Sequence, residues 1–399
     1  MQKILPRGSA SAVAVLLPVT AGLVAVAYFP GAIAPATTLR WALMSVLVPL
    51  LLLLIPVDGG RVRLTPGHWM TVLLLAYALL STLWAVSWTE AVNGWWQLAL
   101  LCGCILTGSL ASSRTLDMTY RVFAVALLPS VLVAVLQAAN LPTWGIEQAR
   151  EYPSGLFMSS QLYGEIGALG FVLAPVGGLT QLGLLLGVIL SGSRAAMLAV
   201  ALAGAILYVR TIRDGKTRWP GAGVLAGILG IGVGLYLGFA KTTSILLSAE
   251  DQLGGGLSRA SALRWPLWTD TINALTAFGH GIGSYFVAMP GYVQSYPVDY
   301  IGRPEFAENE FLNFAFELGL PGALLLAGIF GLALVRGSGL KPRLAVLALL
   351  VVSCLGFPLH MPATVFLGGL VLGHCLREPE PVGARDRDAS TARQGTAPS

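Results

Sequence analysis

Four stretches of the sequence set charged or amide side chains beside long apolar runs, where an ionisable group is costly to keep and so becomes a candidate for function. In GVILSGSRAAML (187–198) small residues open a turn before Arg194. A guanidinium beside the first N–H groups of a helix suits an anion, although an interfacial arginine reaching for lipid headgroups has the same pattern. In SRASALRWPLWTD (258–270) a helix places Arg264 and Trp268 on one face. That pair suits a phosphate flanked by sugar, because guanidinium grips oxyanions with two prongs and an indole can cover a sugar ring. A plain amphipathic interfacial helix is the alternative.

The third stretch, FAENEFLNFAFELGLPG (306–322), puts Glu308 and Asn309 ahead of a regular segment, where they could face a pocket. Glu310, Asn313 and Glu317 follow at helical spacing, the pattern of the wet side of a surface helix. The fourth, SSQLYGEIGALG (159–170), carries Glu165 one turn inside a helix with Gln161 on the same face. His280 in FGHGIGSYF and His360 in FPLHMPA are lone histidines at helix ends, either site residues or rings satisfied by a nearby carbonyl.

The elements that must position these groups are apolar. Of 399 residues 55% are hydrophobic and 11% charged, and the mean hydropathy is +0.75. A soluble domain carries about 25% charged residues, so there is too little charge here to cover a water-facing surface. Runs near 9–29, 38–56, 68–86, 92–111, 121–139, 159–174, 178–191, 194–210, 220–240, 319–335, 344–358 and 362–376 predict an all-α polytopic membrane protein of twelve spans. The first run is longer than the core of a signal peptide and is read as a span.

With the N-terminus inside, 17 of the 24 Lys and Arg fall on the cytoplasmic side, while 12 of the 19 acidic residues fall on the other. The positive-inside rule therefore puts both termini in the cytoplasm of a bacterial inner membrane. One long outer loop, 241–318, remains, and loops of that length are usually functional. Residues 1–376 form one transmembrane unit, and 377–399 form a disordered tail rich in Pro, Ala and charge.

The pI near 9.1 is in the range of nucleic-acid binders, but the basic residues are scattered between apolar runs rather than gathered in a stripe. Cys102, Cys104, Cys354 and Cys375 lie in apolar runs and read as packed thiols. No His, Asp, Glu or Cys set has metal spacing, and no nucleotide motif or nucleophile elbow occurs. No cofactor is expected.

In their order, four segments resemble the O-antigen ligase and O-antigen polymerase superfamily of membrane glycosyltransferases. GLFMSSQLYGEIGAL (155–169) is similar to a family segment in which Asn usually stands at the position of Gln161. SGSRAAMLA (191–199) resembles the Ser-x-Ser-Arg-Gly-Ala element and places Arg194 on the family's essential arginine. LRWPLWTDTINALTAFGHGIGSYF (263–286) looks like the Arg, Trp and Gly-x-Gly-x-x-Phe part of the large outer loop. AENEFLNFAFELGLPG (307–322) is similar to the signature that closes that loop, with Glu308 where ligases carry His.

The resemblance implies transfer of a glycan from undecaprenyl diphosphate to a sugar hydroxyl, with inversion and without metal or nucleotide. Arg194 and Arg264 are then expected to stabilise the diphosphate leaving group, and Glu308 to handle the acceptor proton. Asn309, His280, Gln161 and Trp268 are the expected substrate contacts. The missing ligase histidine favours a repeat-unit polymerase, working with a flippase and a chain-length regulator, over a ligase that delivers glycan to lipid A core or protein. A transporter or flippase is the competing class. Its usual marks, paired halves and broken midplane helices, are not evident in the sequence.

Overall fold

The computed structural model describes residues 8–32, 34–55, 65–146, 152–157, 159–175, 178–213, 259–295, 303–337 and 339–377. Every regular element among them is helical. In chain order these are α1 (Gly8–Val26), α2 (Thr38–Leu54), α3 (Pro66–Ser81), α4 (Trp88–Leu110), α5 (Ser113–Ala126), α6 (Leu128–Ala138) and α7 (Ser160–Leu173). They continue as α8 (Leu179–Ser191), α9 (Arg194–Arg213), α10 (Arg259–Asn273), α11 (Tyr285–Ala288), α12 (Glu310–Arg336), α13 (Leu340–Leu355) and α14 (Pro362–Leu376).

Four segments are long and apolar enough to cross a membrane: Pro66–Trp84, Trp88–Leu110, Ser113–Ala138 and Glu310–Arg336. Five further apolar helices, among them Leu179–Ser191 and Pro362–Leu376, are shorter. The expected span 220–240, the start of the expected outer loop and the tail 378–399 lie outside the described residues.

Side-chain size sets the tightest helix contact, between α4 and α14. A β-carbon on Gly108 would meet the Leu370 carbonyl, and one on Gly373 would meet the Ile105 carbonyl. Gly369 lies against Cys104 in the same way. Gly369 and Gly373 are one small-xxx-small pair, so the two backbones touch where any larger residue would hold them apart. The remaining packing pairs α1 with α5, α3 with α12, α9 with α13, and α7 with both α8 and α9.

Buried Arg40 secures the entry to α7. Its guanidinium donates to the carbonyls of Val24 (2.8 Å), Ala25 (3.1 Å) and Ala36 (2.7 Å), and reaches Leu156 at 3.4 Å. The Phe157 ring lies 4.0 Å beneath the charge. From α6, the Gln137 side chain accepts from the Ser154 and Gly155 N–H groups, and Ser130 accepts from Leu156 N–H. The approach to Gln161 is therefore held by buried polar bonds, each worth about 1 kcal/mol net and more when its partner is lost.

Residues 259–295 and 303–309 belong to the expected outer loop, but they are folded against the bundle rather than left open. Tyr77 on α3 donates to the Phe278 carbonyl (3.2 Å), and Ile282 N–H donates to Ser81 (3.1 Å). Gly279, Gly281 and Gly283 all have positive φ, between 73° and 93°. They lie against the backbones of Glu317, Ala85 and Glu90 respectively. A glycine at each second position lets the chain pass between α4 and α12 at backbone contact distance.

α12 breaks at Gly319 (φ 65°, ψ −169°), where its backbone meets Ala277 and Phe278. This kink separates an outer half bearing Glu310, Asn313 and Glu317 from the apolar half that follows.

Candidate functional site

The sequence expectation for α12 needs correction at two residues. Glu310 and Glu317 are not on a wet face: Glu310, Asn313 and Glu317 are all buried. Helical spacing correctly put them on one side, but that side is covered by the 279–285 loop and by the turn Pro358–His360. Glu317 accepts from Gly283 N–H (3.0 Å) and Tyr285 N–H (3.3 Å), so its carboxylate replaces missing partners for the glycine-rich loop. Glu310 accepts from Leu359 N–H and pairs with His360 Nδ1 at 3.1 Å.

His360 is drawn two ways. Asn313 Nδ2 approaches His360 Nε2 at 3.4 Å and favours a neutral ring, while the carboxylates favour an imidazolium. Burial pulls its pKa down, but the nearer Glu310 carboxylate, with Glu317 behind it, carries the value above the usual 6.5.

Around Glu308 the structure assembles a polar cluster from three distant segments. The Trp268 indole N–H donates to the Ala307 carbonyl (2.9 Å), and Ala307 N–H donates to Asn313 Oδ1 (3.2 Å). Asn309 caps α12 by accepting from Leu312 N–H (3.1 Å), and its Nδ2 donates to the Cys354 carbonyl (2.9 Å). Trapped between these ties, Glu308 has φ 53°, a left-handed conformation that is costly for a residue with a β-carbon.

From that position Glu308 Oε2 meets Arg264 Nη2 at 3.4 Å and Gln161 Nε2 at 3.2 Å. Gln161 Oε1 accepts from the same Arg264 nitrogen at 3.3 Å, and Gln161 Nε2 also donates to Glu165 Oε1 at 3.1 Å. One amide thus bridges two carboxylates. Glu165 is buried with Oε2 unpartnered among the described residues. The Arg264 and Glu308 side chains are 28% and 31% exposed, so the cluster is open to a ligand. Arg264 makes these contacts through Nη2. Its other N–H groups point to no protein acceptor among the described residues, which leaves an edge for an oxyanion.

Arg194 is exposed at the start of α9, and its turn is fixed from both sides. Gly192 closes α8 with φ 64°, and Ser193 accepts from Ala196 N–H (3.4 Å). Gly164 on α7 lies against Ser191 and Ser193, where a β-carbon would collide. The Arg194 turn is therefore seated on the same helix that carries Gln161 and Glu165.

His280 serves the fold. Its Nε2 donates to the Ala274 carbonyl (2.9 Å), and its ring packs 4.4 Å from Phe316 and 5.2 Å from Tyr292. The amide of Asn309 and the indole N–H of Trp268 are likewise committed to holding the backbone around Glu308. Gly356 and Arg40 escaped the sequence reading. A β-carbon at Gly356 would collide with Glu165 Oε1 and sit 2.7 Å from Gln161 Nε2. No local signal marks that role, whereas Arg40 was visible as a lone cation in an apolar run.

Residues 179–327 match the family model described as O-antigen ligase. That stretch of the chain is similar to the O-antigen ligase family. The match runs from the start of α8 into α12 and includes Arg194, Arg264, Trp268, His280, Glu308 and Asn309. No curated protein matches the chain. The family similarity, on a helical scaffold with membrane-length apolar helices, supports a glycan-transfer role at a membrane. Gln161 and Glu165 precede the matched residues.

Proposed function

We propose that this protein is a polyprenyl-diphosphate-dependent glycosyltransferase of the bacterial inner membrane, joining lipid-linked repeat units into a polysaccharide at the outer face. The observation that carries this reading is the meeting of Arg264, Glu308, Gln161 and Glu165 from separate segments, in and beside the stretch similar to O-antigen ligases. In the reaction the acceptor hydroxyl oxygen bonds to the anomeric carbon as the bond from that carbon to the diphosphate oxygen breaks. The hydroxyl proton goes to Glu308, and the electron pair leaves with the diphosphate.

Charge grows on the leaving group, so fixed cations lower the barrier if they meet it in the transition state. Arg264 and Arg194 supply them. An incoming diphosphate competes with Glu308 for Arg264, which frees the carboxylate to take the acceptor proton. Gln161 then keeps Glu308 aimed while Arg264 turns to the donor.

A second reading is ligation to lipid A core or to protein, favoured by the description of the matched family as O-antigen ligase. Glu308, at the position where ligases carry His, favours the polymerase. The test is polymer formation from a purified lipid-linked repeat unit. Arg264→Ala and Arg194→Lys are each expected to lose about 100-fold in turnover at normal protein levels, since ammonium cannot replace the planar two-pronged contact. Wild-type yield and length distribution in both variants would sink the proposal. Transfer to lipid A core without chain growth would replace the polymerase by the ligase.

A further inference from the structure

The segment that carries Glu308 into the arginine cluster also walls a separate cavity. Glu305 and Phe306 border a space of about 320 Å³ that neither Arg264 nor Glu308 lines. Its volume falls within the roughly 300–1,000 Å³ of small-molecule sites. One wall is α4, where Glu90, Asn93 and Gln97 recur at helical spacing and face the cavity together. Phe286 and Phe306 add aromatic rings to the lining, and Glu317 and His360 border it too.

Among the described residues the lining contains no Lys or Arg, and the charge of its histidine, His360, is matched by Glu310. The Glu90 and Glu305 carboxylates pair with no protein group among the described residues. A diphosphate would be repelled here. Carboxylate and amide oxygens accept hydrogens from hydroxyls or an ammonium, and aromatic faces cover the C–H face of a sugar ring. The position matters as much as the chemistry. Inversion requires the acceptor to approach from the side opposite the leaving diphosphate, and the 305–308 segment separates this acidic cavity from the cationic cluster.

We infer that this cavity is a subsite for the acceptor glycan, holding a sugar next to the one whose hydroxyl reaches Glu308, and that it takes an uncharged or amine-bearing sugar in preference to an anionic one. The inference rests on the glycosyltransferase reading and adds its substrate preference.

It is tested on the full chain in lipid nanodiscs by saturation-transfer NMR, with cellobiose, N,N′-diacetylchitobiose and glucuronic acid as probes. At least one neutral disaccharide should receive magnetisation while glucuronic acid does not. Asn93→Ala combined with Gln97→Ala should weaken that binding about tenfold, the loss expected for two hydrogen-bonding side chains. Arg264→Ala should leave it unchanged. Glu90→Lys, at a part-exposed position, should bring glucuronic acid into the site. This charge reversal covers the case in which the double variant does not fold. Absence of signal from both neutral sugars, equal binding of glucuronic acid by the wild type, or an unaffected double variant overturns the subsite. Binding is read without turnover, so active Arg264→Ala and Arg194→Lys enzymes would overturn the reaction while leaving a sugar site in place.

Discussion

Arg264 and Glu308 meet at 3.4 Å although 44 residues separate them in the chain. Both side chains are nearly a third exposed, so as a structural ion pair the contact contributes little, within about 1 kcal/mol. Its interest is positional: the carboxylate is held in a strained backbone conformation to make a contact of small stabilising value.

Strain without stabilising return predicts that activity and stability separate at Glu308. Glu308→Gly should raise the unfolding temperature, because glycine accepts φ 53° and removes a cost of about 1 kcal/mol. The same variant should form no polymer. Glu308→Gln, which keeps the shape, should lose roughly 100-fold in turnover. A glycine variant no more stable than wild type would show that the backbone stores no strain here.

Gly356 gives a test of the bridge between the two carboxylates. Its extended backbone, φ −164°, accepts alanine, but the added carbon would push Glu165 and Gln161 aside. Those are ends of flexible side chains, so Gly356→Ala should fold. Its turnover should nevertheless fall at least tenfold, the sensitivity expected when catalytic groups shift by a fraction of an ångström. Thermal unfolding and polymer yield, measured together, decide between loss of geometry and loss of fold.

At His360 the prediction is a pH dependence. A pKa raised in the folded state means that folding favours the protonated ring. The stabilisation is fully present below the usual value of 6.5 and is lost as pH rises through the raised value. Unfolding temperature should therefore drop as pH increases from about 6.5, and the drop should vanish in His360→Gln. At pH 6 that variant should also be less stable by about 3 kcal/mol, since it leaves Glu310 buried without a cation. A parallel pH profile in wild type and variant would remove the pair from the account.

Membrane orientation is checked by reporters active only outside the cytoplasm. A fusion after residue 290 should be active, while fusions after residue 215 and at the C-terminus should be silent, given the side on which 17 of 24 basic residues fall. An active C-terminal fusion would reverse that orientation or change the span count.

The residues of the cluster were legible in the sequence because their types are costly beside apolar runs, and because the order of four motifs resembled one family. Arg264, Glu308 and Gln161 could be named in advance, but not their mutual contact, which depends on how α10 returns to α7. Glu310 and Glu317 were misread for a related reason. Spacing reveals which side chains share a helix face, but what covers that face is decided by segments far away, here the glycine-rich loop and the turn after α13. The cavity beside α4 went unseen because Glu90, Asn93 and Gln97 look like the polar outer end of any spanning helix. Only the approach of Gly283 to the Glu90 backbone closes that end into a wall.

Among the described residues the Glu317 carboxylate grips the loop through the amide hydrogens of Gly283 and Tyr285. Main-chain groups are the same whatever side chain they carry. Phe286, an exposed part of the cavity wall, can therefore be exchanged without touching these bonds. Such an arrangement lends itself to divergence: the wall of the cavity can drift from one descendant to another while the loop keeps its seat against α12.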